Sequence, residues 1–456
     1  MPGTKRDRLA SSEPPATGTV EVYGAGAARC PCPLRARAAP LPAGRGTRRI
    51  MNVRRSAAVL AAVAVFGSAA APAAFAESAS PSPSAALPSG LYGDADPKFD
   101  GVFRQSYALL AQDSAGVKPA AKSVDWLTGQ QCASGGFAAY RADAGEPCDS
   151  KTMFDSNATA SAVQALAALG GQDKAVKKSV GWLKSVQNKD GGWGYGPGMD
   201  SDANSTGIVI GALTAAGEKP QSVKNQDGKS PYDALPALSM SCGKDGGAFG
   251  LADMKTGKLF PNADATAAGV LGAHGKGLIV DPANKEAATP KCAKADTAEQ
   301  AAANGTGYLL KTLAKTDDHL MSALPGTKVP PDVGNTADSV LALAAAGQQK
   351  QAEKSAQWLA KNSAEWAKKS GPAAYAQLIF AAHAAGMDPR DFGGADLVKQ
   401  LNAQGPAPQA TDQAADEKKD SDDGSGVSIW WIIGVGMVAG IGIGFLYSGN
   451  KKKQQL

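Results

Sequence analysis

The chain has 456 residues, with 47 Lys and Arg against 42 Asp and Glu, three His, six Cys, 54 Gly and 28 Pro. Its basic excess is confined to the first 76 residues and to Lys451, Lys452 and Lys453, and residues 77–450 carry 33 basic and 39 acidic side chains. A mildly acidic body with no basic stripe and no interleaved aromatics excludes the electrostatic footprint of a nucleic-acid binder.

Residues 1–50, biased to Pro, Arg and Ala, read as an upstream extension placed before the true start at Met51. The alternative is a genuine extension with an internal anchor at 57–76. Met51-Asn-Val-Arg54-Arg55, an apolar run and Ala74-Phe75-Ala76 form the charged, apolar and small-residue parts of a signal peptide over 51–76, cut after Ala76. Residues 77–96, rich in Ser, Pro and Ala, read as a linker, and 405–426, rich in Asp, Lys and Gln, as a disordered stalk. Residues 427–447 are apolar and free of charge, long enough to cross a bilayer as one helix. Trp430, Trp431 and Tyr447 fall at its ends and Lys451 to Lys453 follow, so the tail 448–456 is expected in the cytoplasm. The expected protein is a single-pass cell-membrane protein with an extracytoplasmic body over 97–404.

That body repeats. DSNATASAVQALAALGG from Asp155, SDANSTGIVIGALTAAG from Ser201, NADATAAGVLGAHGKG from Asn262 and GNTADSVLALAAAG from Gly334 each give a polar start, an apolar helix and a small-residue stop. Asn157, Asn204, Asp264 and Asn335 are aligned as N-caps of these helices, with Thr159, Thr206 and Thr266 two residues on. Between them lie amphipathic segments such as AVKKSVGWLKSVQ from Ala175, whose lysines mark a wet, outer face. Twelve helices are expected near 98–113, 119–130, 156–169, 173–187, 202–216, 231–241, 264–274, 298–315, 335–346, 351–369, 372–385 and 393–403. Six inner and six outer helices make an all-α, α6/α6 toroid, and no alternating run argues for a sheet.

The outer helices end in Gln131-Cys-Ala-Ser-Gly135-Gly136-Phe137, Gln187-Asn-Lys-Asp-Gly191-Gly192-Trp193 and Cys242-Gly-Lys-Asp-Gly246-Gly247 with Phe249. This pattern resembles the QW motif of the prenyltransferase and squalene-cyclase α/α-toroid family. The glutamine can bond a helix end, the glycines permit positive φ, and the ring can fold onto the outer helix. The family's DxDD acid, its DDxxD magnesium site and its zinc ligands are absent, as is a CGEQ thioester. Asp200 and Asp202 are the acids nearest to a cyclase motif, and His274, His319 and His383 stand without partners. These gaps argue against catalysis. A prenyltransferase or terpene-cyclase-like enzyme is the second reading, and a structural surface protein the third.

Cys132, Cys148, Cys242 and Cys292 lie in an exported context where disulfides persist, and of their three possible connectivities the pairing 132–148 with 242–292 is expected, since each pair then staples one long loop. The inner-helix N-termini gather Asp155, Asn157, Thr159, Asp202, Asn204, Thr206, Asp264, Thr266 and Asn335, a polar ring suited to an amide-rich or anionic ligand. The arrangement also resembles the α-domain of the cobalamin carriers intrinsic factor and transcobalamin. That resemblance implies a corrinoid ligand held at Asn157, Thr159, Asp202, Asn204, Asp264 and Thr266. The clamping β-domain of those carriers is missing, so a small β-domain partner is expected to supply it, and the leading expectation is a protein without catalysis of its own that binds a ligand or partner, a corrinoid or isoprenoid-like molecule passed to a transporter being the candidate.

Overall fold

The computed structural model describes residues 87–410, apart from 244–245, 254 and 323–328. The leader over 51–76, the upstream extension, Cys30 and Cys32, the apolar run 427–447 and the tail 448–456 lie outside the described residues. No helix of the described residues is long and apolar enough to cross a membrane.

The described chain is mostly helical. It contains α1 (Gly101–Ser114), α2 (Ala121–Gly129), α3 (Ser156–Leu169), α4 (Asp173–Ser185), α5 (Ala203–Ala215), α6 (Pro231–Leu238), α7 (Ala263–Ala273), α8 (Ala298–Leu313), α9 (Val333–Ala345), α10 (Gln349–Asn362), α11 (Ala364–Ser370), α12 (Pro372–Ala384) and α13 (Leu397–Asn402). The segment expected as one helix over 351–369 is divided at Ser363, which stays in the αR region and so kinks the helix rather than looping out. Two antiparallel hairpins were not foreseen: β1 (Gly250–Ala252) with β2 (Leu259–Pro261), and β3 (Leu320–Met321) with β4 (Pro331–Asp332). Each closes the long loop that leads into α7 or α9.

Helix contacts follow a cycle. α1 packs on α3, α3 on α5, α5 on α7, α7 on α9, α9 on α12, and α12 back on α1. The lysine-bearing helices lie outside it: α2 on α1, α4 on α3, α8 on α7, α10 on α9 and α13 on α12. Small residues let the inner helices approach closely. A Cβ at Gly207 of α5 would overlap the carbonyl of Ala268 on α7, and one at Gly272 would stand 2.7 Å from Gly207 Cα. The stretch before Pro97, expected as linker, packs into this body: Tyr92 is fully buried and Gly93 N donates to Gln404 O at 2.8 Å.

A single joint recurs where the chain enters α3, α5, α7 and α9. The true N-caps are Asp155, Asp202, Asn262 and Asp332, extended residues whose side chains accept from the first-turn N–H groups. Asn157, Asn204 and Asp264 therefore sit two residues inside their helices and Asn335 three inside, correcting their expected role as caps. Four residues after each cap comes a threonine. Thr159 Oγ1 accepts from Phe137 N at 2.9 Å, Thr206 from Trp193 N at 3.1 Å, Thr266 from Phe249 N at 3.1 Å and Thr336 from Leu320 N at 2.9 Å. Three of these hydroxyls donate back to the carbonyl of their own cap residue: Thr159 to Asp155, Thr266 to Asn262 and Thr336 to Asp332.

The glycine-rich turns serve this joint. Gly135, Gly191 and Gly247 have φ of 101°, 96° and 88°, each two residues before the residue that the threonine holds. A Cβ at Gly135 would collide with the Lys178 carbonyl of α4, so the turn lies directly on the next outer helix. The match in the third turn is thus Gly247-Ala248-Phe249, one residue later than the sequence alignment placed it. Gln131 Nε2 donates to Ala175 O at 2.8 Å, and Trp193 Nε1 to Leu183 O at 2.8 Å, so the glutamine and the ring both tie the turn to α4. The disulfides join Cys132 to Cys148 and Cys242 to Cys292, the expected pairing.

Thr206→Val keeps the volume and removes the acceptor, leaving the buried Trp193 N–H unpaired. A loss of about 1–3 kcal/mol is expected, read as a lower thermal midpoint by circular dichroism, with Thr206→Ser recovering most of it.

Candidate functional site

Because α3, α5, α7 and α9 are capped and jointed alike, their first turns meet. Asn157, Asn204, Asp264 and Asn335 line one cavity of about 340 Å³, together with Phe103 and Tyr107 of α1, Asp338 of α9 and Gln377 of α12. The loop after α7 bounds it elsewhere: Leu278 N donates to Gln164 Oε1 at 2.8 Å, and Gly277 lies against Gly211 so closely that a Cβ at Gly211 would stand 2.8 Å from Gly277 Cα. Lys276 on this loop also lines the space.

The wall is rich in acceptors. Asn204 Nδ2 donates to Asp264 Oδ2 at 2.7 Å, and Gln377 Nε2 donates to Asp338 Oδ1 at 3.2 Å. Asn157 Oδ1 and Asn204 Oδ1 are buried and have no hydrogen-bond partner in the protein. A buried acceptor without a donor is costly, by about 1–3 kcal/mol, and both oxygens belong to side chains that line the cavity. Burial pushes the Asp338 carboxyl up to about 8, assisted by the negative charges of Asp264 and Asp332 and opposed by the Gln377 hydrogen bond. Asp338 is therefore mostly a neutral acid at pH 7. Burial also raises the Asp264 carboxyl, with the Asn204 hydrogen bond working the other way. The buried Tyr107 hydroxyl is held well above its ordinary value, first by burial and then by negative charge at Asp338 and Asp264.

Of the ring of residues expected to bind a ligand, Asn157, Asn204, Asp264 and Asn335 reach the cavity, and Asp155, Thr159, Asp202, Thr206 and Thr266 do not line it. The latter five are engaged in structure: Asp155 and Asp202 as caps, the threonines as joints. Asp200 is exposed and also outside the cavity, so neither acid of the string Asp200-Ser-Asp202 faces it. Asp338, Gln377 and Tyr107 were missed. The signal for Asp338 is an acid in the otherwise apolar ADSVLALAAAG, one turn inside the helix. His274, His319 and His383 lie away from the cavity: His319 stacks on Trp358 with ring centres 4.3 Å apart, and His383 Nε2 is 3.2 Å from Asp281 Oδ1. No cluster of three His, Cys, Asp or Glu able to hold a metal ion occurs among the described residues.

The surroundings of this end are apolar. Among the described residues nine large apolar side chains are exposed, and all but Leu87 stand on segments leading into an inner helix. Phe99 precedes α1, Met153 precedes α3, and Tyr195 and Met199 precede α5. Leu251 and Phe260 lie on the hairpin before α7, and Met321 and Val329 on the stretch before α9. Tyr195 also hydrogen-bonds Asp155, and burial, with that carboxylate, pushes its hydroxyl up to about 12.

The sign of the Asp338 shift sets a pH dependence. Its folded-state affinity for a proton is raised above the unfolded value, so the folded protein holds a proton that the unfolded chain has released between about pH 4 and 8. Stability contributed by the neutral acid is then full at the acid end and declines as pH rises through that window. Asp338→Asn is expected to match the parent near pH 4 and to exceed it by a few degrees in melting temperature at pH 8, measured by calorimetry at both pH values.

No family model matches the chain. Over 65 residues it is 43% identical to squalene–hopene cyclase of Zymomonas mobilis subsp. mobilis, a stretch that covers 12% of this chain and 10% of that protein. The chain thus matches only a small part of the length of that cyclase, and the likeness is partial and local.

Proposed function

We propose that the protein is a membrane-tethered, extracytoplasmic α6/α6 toroid that binds a hydrogen-bond-donating ligand in its central cavity and performs no chemistry on it. The cycle of inner helices supports the toroid, and the apolar run at 427–447 and the signal-like segment at 51–76 support the tether and the export. One observation carries the binding: four first-turn polar residues from four helices converge on one cavity, with Asn157 Oδ1 and Asn204 Oδ1 unpaired in the protein. A space of about 340 Å³ lies at the small end of ligand pockets, roughly 300–1,000 Å³. It accepts a head group or an amide-bearing arm rather than a whole macrocycle. A corrinoid would enter by a side-chain amide, and an isoprenoid-like molecule by its polar end.

A second reading is a terpene-cyclase-like or prenyltransferase-like enzyme. Its support is Asp338, a neutral acid at pH 7 facing a cavity that also holds Phe103 and Tyr107, together with the local likeness to squalene–hopene cyclase. In this reading Asp338 donates the proton, in place of Asp200 and Asp202.

The test uses the full chain in detergent, incubated with a panel of corrinoids and isoprenoids and analysed by native mass spectrometry and product extraction. Binding predicts a retained, unchanged ligand whose affinity falls by about tenfold or more, roughly 1.4 kcal/mol, in Asn204→Ala, whereas Asp338→Asn still retains it. Consumption of an isoprenoid, abolished by Asp338→Asn, would replace binding by catalysis. Retention of no panel member would remove both ligand classes.

A further inference from the structure

The cavity holds a group that neither the caps nor the joints use. Tyr107 is 5% exposed and lines the space, yet its hydroxyl makes no hydrogen bond to any described residue. Asn157 Oδ1 and Asn204 Oδ1, buried in the same wall, have no partner in the protein either. The deeper polar side chain is already satisfied: Gln164 donates by Nε2 to Ile208 O at 3.3 Å and accepts Leu278 N–H at 2.8 Å. Unmet hydrogen bonding is thus gathered at the end that holds Asp264 and Asp338, and the remaining wall includes Ile208, Leu271, Leu278 and Leu341. Asp264 and Leu271 are two turns apart on α7, about 10 Å along the axis, so the space is polar at one end and apolar at the other.

Charge decides what the polar end accepts. The groups that act on Asp338 are Asp264 on α7, Asp332 before α9, Tyr107 of α1 and Gln377 on α12, none of them basic. Of the lining residues Lys276 alone is basic; it is exposed, on the loop after α7, and forms an ion pair with neither Asp264 nor Asp338. An anionic guest would add a further negative group beside two acids, whereas a cation meets opposite charge. An ammonium brings three N–H donors at one point. The rings of Phe103 and Tyr107, with centres 4.2 Å apart, supply aromatic faces of the kind that hold an organic cation.

We propose that the cavity takes a protonated primary amine with an apolar body, its ammonium against Asp264, Asp338 and the Tyr107 hydroxyl and its hydrocarbon against Ile208, Leu271, Leu278 and Leu341. This ligand class rests on the reading of the cavity as a binding site. An ammonium beside Asp338 reverses the surroundings that keep the acid neutral, so Asp338 releases its proton to solvent as the amine enters. Binding therefore strengthens as pH rises toward about 8, for as long as the amine itself stays protonated.

The experiment uses the full chain in a nonionic detergent, with para-fluorophenethylammonium, para-fluorophenethyl alcohol and para-fluorophenylacetate as probes, each titrated by fluorine NMR against empty micelles. At pH 7 the ammonium is expected to bind at least about tenfold more tightly than the alcohol, and the carboxylate not at all. Asp264→Asn and Asp338→Asn should each weaken the ammonium by roughly tenfold without weakening the alcohol. Ala268→Leu, which fills the space, should weaken the ammonium as well, and from pH 6 to pH 8 the ammonium alone should gain affinity. Equal affinity for alcohol and ammonium, or an ammonium indifferent to both aspartate substitutions or to pH, would overturn the amine and leave a cavity that binds neutral donors. Binding of neither probe by a protein that circular dichroism shows to be folded would overturn it too, and the cavity as a binding site is then judged by the corrinoids and isoprenoids above.

Discussion

The fold turns on one hydroxyl used four times. A threonine one turn inside the helix accepts the N–H of the strand-like residue arriving from the outer turn, and at three of the four joints it also returns its proton to the carbonyl of its own cap. Each joint satisfies a buried donor that no helix or sheet would otherwise reach. It fixes three things together: where the helix begins, how far the incoming loop penetrates, and which side chain of that loop is buried. Phe137, Trp193 and Phe249 are fully or almost fully buried because the joint holds the backbone beside them.

Repeating the joint has an electrostatic outcome. It brings helix N-termini, each with partial positive charge, to one place. Short acceptors are the residues that such ends select, and a helix that has already been capped still presents its second and third positions to its neighbours. Asn204 and Asp264 meet across α5 and α7 on this account. Where a carboxyl lies deeper, as Asp338 does, the helix end is too far to compensate burial, and the acid keeps its proton. One end of the molecule thus holds an inner zone of acceptors and an outer zone of exposed apolar rings and thioethers.

Much of this was legible in the sequence. Polar starts and small-residue stops gave the order of helices, and lysine-bearing faces separated outer from inner members, because both signals are local. The caps were misplaced by two or three residues, since Asn157 and Asp155 are equally good capping types and only the backbone, extended at Asp155, tells them apart. The fourth joint was hidden more thoroughly. Asp318, with φ of 66°, stands where the other turns have glycine, and Leu320 stands where they have an aromatic or Phe. Its geometry is the same while its letters are not. Asp338 escaped notice because the groups that define its environment, Tyr107, Asp264 and Gln377, come from three distant helices. No spacing along the chain records that meeting.

The contact of α12 with α1 has a bearing on how the body is made. An open stack of helix pairs can add or lose a repeat at either end and so frays gradually. Here Gly93 is bonded to Gln404, and Gln112 Nε2 donates to Asn402 Oδ1 at 2.6 Å, so the two ends of the body lie side by side and no helix of the inner cycle is terminal. The contact of α12 with α1 spans nearly the entire body in sequence, so it carries the largest loop-closure entropy of the inner contacts. Each helix of the inner cycle therefore has an inner neighbour on both sides.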